Sequence, residues 1–208
     1  MITLRRFRTL EHDLVVLGHG PTILWSENIA PPEDANDFAA RAIYVICNSG
    51  MKATVAGPIY VRCMAAVTAG VSATIVFGHP GKSRAIDDIW LSRERYFSEY
   101  LAAIGKVDGL ELLPWIGPVT KHHLAKNLGV DTAKPDVHLE RLARGDGTTT
   151  QTLCRRMSRA SGYRVATVDT ILWRACADGI LNSRIYESDG WLAAYRGQAQ
   201  TKSEPVIT

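Results

Sequence analysis

The chain has 208 residues, 46% of them hydrophobic, with five Trp, seven Tyr and no low-complexity segment, so it carries enough apolar surface for a full core and is not an intrinsically disordered chain. Its longest apolar runs, such as Ala42 to Cys47, fall far short of the roughly 20 residues that span a bilayer, and no membrane partner is expected. A net charge of +3 is compatible with a polyanionic partner without implying one, and the scattered Cys47, Cys63, Cys154 and Cys176 lack the spacing of a zinc site or iron–sulfur cluster.

The N-terminus is basic through Arg5, Arg6 and Arg8, but no apolar segment with a small-residue cleavage site follows, so an intracellular location is expected. Within the first 34 residues, Leu14 to Leu17 and Thr22 to Trp25 read as short β-like pieces around a Gly18-His19-Gly20-Pro21 turn, giving an irregular segment or a small hairpin. Pro31-Pro32-Glu33-Asp34 opens a helix with acidic residues at its positive end and a stripe of Phe38, Ala42, Val45 and Ile46. That helix is expected to end near Asn48-Ser49-Gly50.

A second helical pattern runs from about Ala53 to Thr68, with Pro58 inside it, and stops at Gly70. After the breaker Phe77-Gly78-His79-Pro80-Gly81, the spacing of Ile86, Ile89, Trp90, Tyr96, Phe97 and Leu101 predicts one long or two consecutive helices up to Gly105. Leu113-Pro114-Trp115-Ile116-Gly117-Pro118 then forms a tight turn, expected between helices, with Val119 to Leu128 helical and closed by Gly129. Asp136 opens a further helix, and Gln151 to Ala160 and Val165 to Ala177 give two more, separated by Gly162. No strand run is long enough for a large sheet and no repeat is visible, so the fold class is mainly α. Trp191 and Tyr195 are expected to dock the tail, and residues 201–208 to be disordered.

The turn and the carboxylate after it carry the chemistry. Gly117 is read as supplying a backbone geometry closed to other residues, and the amides of the following helix as a phosphate hook. An ordinary helix–turn–helix corner is the alternative reading. Asp136, after Pro135, suits a helix N-cap and equally a carboxylate placed for chemistry. Gly78, Gly81, Lys82 and Ser83 are read as a second set of helix-start amides. Arg155, Arg156 and Arg159 form one basic cluster, and Lys82, Arg84, Arg93 and Arg95 another. His122 and His123 are adjacent and face different ways on a helix, a poor metal pair.

Residues 113 to 138 resemble the signature of the helix-hairpin-helix DNA glycosylase superfamily: a Leu-Pro-x-Ile/Val-Gly hairpin, here Leu113, Pro114, Ile116 and Gly117, then a helix and a catalytic Asp, here Asp136. The resemblance extends more weakly along most of the chain. It implies two helical domains flanking a DNA-binding cleft, residues 33–135 with the helix-hairpin-helix and residues 1–32 plus 136–200, with a base flipped from duplex DNA into the cleft. It also implies hydrolysis of the N-glycosidic bond, Asp136 stabilising the positive charge that develops on the sugar, and DNA contact through Pro114, Trp115, Ile116, Gly117, Val119, Thr120, Lys82, Ser83 and Arg155. Asn48 or Met51 falls where the family places its wedge residue, and Trp25, Tyr44 and Trp115 are candidates for stacking on the base; against this, Gly50 is a routine helix terminator, Met51 also reads as core, and a Trp or Tyr in a helical protein is more often core. His138 is expected to bond backbone near Asp136.

Members that also nick the backbone carry a Lys two residues after the last hairpin Gly, where this chain has Val119. Valine cannot form a Schiff base, so hydrolysis without strand cleavage is expected. Lys121 is the alternative nucleophile for a glycosylase/lyase, and a non-enzymatic DNA-binding module is the alternative outside catalysis. The iron–sulfur cysteines of some branches are missing, and no cofactor or metal is expected. The expected partner is double-stranded DNA, bound by a monomer, in the nucleoid of a bacterial cytoplasm or in a nucleus.

Overall fold

The structure, a computed structural model, describes residues 1–197, apart from the side chain of Ala53; the expected disordered tail, 201–208, lies outside the described residues. The described chain is mainly helical, with twelve α-helices, two 3-10 helices and, beyond them, one isolated β-bridge between Leu181 and Tyr195. None of these helices is long and apolar enough to cross a membrane. Two compact units form, one from Ala30 to Val130 and the other from Met1–Ile29 together with the chain from Asp131 onward.

In the terminal unit, α1 (Leu4–Val16) and α2 (Gly20–Glu27) replace the expected irregular or β-like segment. Leu14 to Leu17 overlaps the last turn of a helix whose buried stripe begins at Phe7 and continues through Leu10 and Leu14, at i, i+3 and i+7. Thr3 starts α1 by accepting the Arg6 amide on its hydroxyl, and Pro21 sits in the first turn of α2, where a missing N–H costs nothing. A four-residue apolar run is ambiguous between strand and helix, and here the longer stripe and the caps decide.

In the Ala30–Val130 unit, α3 (Ala35–Asn48) is buried on most of its circumference, through Phe38, Ala42, Ile43, Val45 and Ile46 among others. Asp34 caps it, taking the Asp37 amide at 2.8 Å. Around it lie α4 (Ala53–Thr68), α5 (Pro80–Leu91), α6 (Arg93–Ala102) and α7 (Thr120–Asn127). The segment before the Pro/Gly turn is a single 3-10 helix, Asp108–Leu112, rather than an α-helix; five residues containing Gly109 are too few to sustain α geometry.

The terminal unit is completed by α8 (Val137–Gly145), α9 (Thr150–Ser161), α10 (Val165–Ala177), α11 (Ser183–Asp189) and α12 (Trp191–Ala194). Its core runs through α10, where Val168, Ile171 and Leu172 meet Phe7, Leu10, Leu139, Leu153 and Tyr186. Trp191 and Tyr195 dock as expected, their rings stacked 4.9 Å apart and the Tyr195 hydroxyl donating to Asp13 at 2.7 Å.

At the C-terminus of α8, Asp146 is fully buried as a side chain and satisfied on every side. Its oxygens accept from the Ile2 amide (3.0 and 3.1 Å), from Arg156 at 2.5 Å and from the Tyr186 hydroxyl. Burial, and then donation to Asp146, hold that hydroxyl well above the ordinary tyrosine range. A negative charge at a helix C-terminus opposes the helix dipole, so this carboxylate depends on its donors. We expect Asp146→Ala to cost about 3 kcal/mol in urea unfolding, because it leaves Arg156 facing a vacated buried site. Arg144→Ala, which removes an exposed ion pair with Glu187, barely moves the same midpoint.

Candidate functional site

In the Ala30–Val130 unit the turn before α7 is held by its own chain. The Ile116 amide donates to Leu113 O at 3.1 Å, the Gly117 amide to Thr120 Oγ1 at 2.7 Å, and the Lys121 amide to Gly117 O at 2.9 Å. Ile116 is buried, Pro114 half-buried, and Val119 exposed. Among the described residues the amides of Val119 and Thr120 have no hydrogen-bond partner, so two donors stay open at the start of α7.

Gly117 is not the residue in unusual backbone geometry. Among the described residues the one non-glycine with positive φ is Trp115, at 67°, whereas Gly117 has none and a Cβ there would meet only Thr120 Oγ1 at 3.9 Å. A left-handed conformation costs an L-residue about 1–2 kcal/mol. The surroundings explain how Trp115 holds it. Its indole N–H donates to Ser49 Oγ at 3.2 Å, its ring meets the His79 ring edge-to-face at 5.1 Å, and Gly81 leaves space for it: a Cβ there would lie 2.5 Å from the indole.

Lys82 and Ser83 are buried, and their amides already have partners, His79 Nδ1 at 3.3 Å and His79 O at 3.0 Å. The Lys82 ammonium reaches back to Ser49 O at 2.5 Å, closing the C-terminus of α3, and burial lowers its pKa. Lys82 therefore braces the loop that follows α3 rather than presenting charge outward. In and beside that loop, Asn48 bonds Tyr44 O at 2.8 Å, Met51 is half-buried, and Tyr44 packs edge-to-face on Tyr60 at 5.5 Å. The turn is thus joined to this loop by Trp115–Ser49, and the start of α5 is joined to the same loop by Lys82–Ser49.

Lys121 is paired with Asp108 at 2.9 Å and Glu111 at 3.0 Å, and these hydrogen bonds, Asp108 first, raise its pKa. The ammonium form is favoured, which opposes nucleophilic use of the amine.

Asp136 lies in the terminal unit as the N-cap of α8. Its Oδ1 accepts both the His138 amide (2.9 Å) and the Leu139 amide (3.1 Å), while Oδ2 has no hydrogen-bond partner among the described residues. The chain leading to it is pinned residue by residue. Asp131 accepts the Ala166 amide at 2.9 Å, Gln151 donates to Thr132 Oγ1 and Ala133 O at 2.8 Å each, and the Lys134 amide donates to the buried Asp169 at 2.5 Å. A half-buried carboxylate fixed in this way has little left to order when it acts.

The Asp136 charge is felt nearby: the Cys176 thiol is pushed up to about 12, by burial first and then by that charge. His138 does not bond backbone through its ring; Nδ1 meets Ser183 Oγ at 3.0 Å, tying α8 to α11. Trp25 is exposed on α2. Arg155 is exposed on α9. The braces Gln151, Asp169, Ser49, His79 and Gly81 carry no local sequence signal beyond the Gly/Pro breaker at 78–81, because each acts across the fold.

Compared with known proteins, the chain matches no family model, no curated protein and no solved structure.

The seat of Trp115 is testable. Gly81→Ala should displace the indole, shifting tryptophan emission to the red and lowering stability by about 1–3 kcal/mol, as overpacking does. An unchanged emission spectrum would show that the ring does not need that space.

Proposed function

We propose that the chain is a DNA base-excision glycosylase of the helix-hairpin-helix kind: it binds duplex DNA, turns one damaged or modified base out of the stack and hydrolyses its N-glycosidic bond. The observation that carries this reading is the division of roles within Asp136, whose Oδ1 caps α8 while Oδ2 stays open. As the glycosidic bond lengthens, the bonding electrons leave with the base and positive charge develops on the deoxyribose. Oδ2 stabilises that charge and orients a water, whose oxygen bonds the sugar carbon while its proton passes to the Asp136 carboxylate; the departing base takes up a proton from solvent, and Asp136 releases its own to solvent afterwards.

The open amides of Val119 and Thr120 suit a backbone phosphate at the start of α7, with Ile116 buried to anchor the turn. Val119 supplies no amine, and Lys121 is held protonated by Asp108 and Glu111, so the chemistry is hydrolysis that leaves an abasic site, without strand cleavage.

Asp136→Asn separates capping from chemistry, since Asn caps a helix as well as Asp does but carries no charge. On a duplex bearing the excised base, this variant should lose at least about 100-fold in single-turnover base release, the range of a lost charge-stabilising group. Its unfolding midpoint and duplex affinity should match wild type. Full base release by the variant would overturn the assignment of Asp136.

A further inference from the structure

Away from Asp136 and the hairpin, α9 presents an exposed basic face. An open groove of about 670 Å³ on the terminal unit is lined by Thr152, Arg155, Arg156, Arg159 and Ala160. Arg155 and Arg159 are one helical turn apart, both exposed, and neither has an ion-pair or hydrogen-bond partner among the described residues. Like charges at i and i+4 repel, so this pair is mildly destabilising unless an anion lies between them. Arg156 is fixed beside them: its guanidinium donates to Asp146 at 2.5 Å and Ile2 O at 3.1 Å, and its Nε–H, buried in the groove wall, has no acceptor among the described residues. From Thr150 to Ser161 there is no acidic residue, and the nearby Asp146 is saturated.

We infer that this face of α9 is a second contact for the DNA backbone, with Arg155 and Arg159 each engaging a phosphate in a groove whose wall Arg156 holds rigid. The inference rests on duplex DNA being the partner, as proposed above. Guanidinium forks match phosphate oxygens in bidentate geometry. An acidic protein surface is the poorer fit, because no aromatic or large aliphatic side chain lines the groove to anchor a protein partner.

The test is fluorescence anisotropy of a labelled duplex against the full chain over a series of NaCl concentrations, comparing wild type with Arg155→Gln/Arg159→Gln. Each lost phosphate contact should lower the slope of log affinity against log salt by about 0.9, so the double variant should lose about 1.8. Arg95→Gln, which removes an exposed pairing with Glu99, should keep the wild-type slope. Both groove residues are exposed, and a urea midpoint at or slightly above that of wild type confirms that the double variant is folded. A wild-type slope in the double variant overturns this inference alone; absence of duplex binding by wild type overturns the DNA reading with it. Competition by poly-glutamate as effective as by duplex at equal charge would assign the groove to an acidic polypeptide instead.

Discussion

Helix α8 is bracketed by two aspartates whose oxygens are used in opposite ways, and the placement of the candidate chemistry depends on that contrast. Asp146, past its last turn, is buried and accepts from Ile2, Arg156 and Tyr186. It gathers the N-terminal segment, α9 and α11 around one charge just past the end of α8. Asp136, before the first turn, gives one oxygen to the helix and keeps the other open. A helix fixed at its far end by a saturated carboxylate presents the near carboxylate in a defined position. The cost of that arrangement falls on the buried end, where losing one donor or the acceptor exposes an uncompensated group.

In the Ala30–Val130 unit the corresponding constraint is the seat of Trp115. A bulky residue is held in left-handed backbone geometry because Gly81, His79 and Ser49 together form its site. Strain of this kind persists only where the surroundings over-determine it. The bracing also ties the turn and the start of α5 to the loop after α3, since Ser49 receives the Trp115 indole on its hydroxyl and Lys82 on its carbonyl. Turn and loop are therefore positioned together.

How far the sequence discloses this depends on how local each cause is. The helices from α3 to α10 begin and end near residues whose effects reach only a few positions: Asp34 and Asp136 as N-caps, Gly129 and Gly162 with positive φ just past a helix end. The first two helices are misread because Leu14 to Leu17 and Thr22 to Trp25 are too short to show a period. At the site, Asp136 is legible as a cap, yet the open Oδ2 is not, since it depends on which oxygen the amides take. Gly117 draws attention as a glycine, whereas the strained residue is Trp115, two positions earlier, and the space that permits it lies at Gly81. Lys82 and Arg156 read as surface charges in the sequence; one closes α3 and the other neutralises Asp146.

In the proposed function, the open carboxylate at the rigid start of α8 removes a base from DNA by hydrolysis. The most direct measurement is a panel of duplexes, each carrying one modified or mismatched base, incubated with the full chain and then split, half treated with alkali and half not. Strand breaks at one class of base in the alkali-treated half and intact strands in the other are expected, the signature of an abasic site left without lyase chemistry. Duplex binding with no alkali-labile site at any base would contradict it.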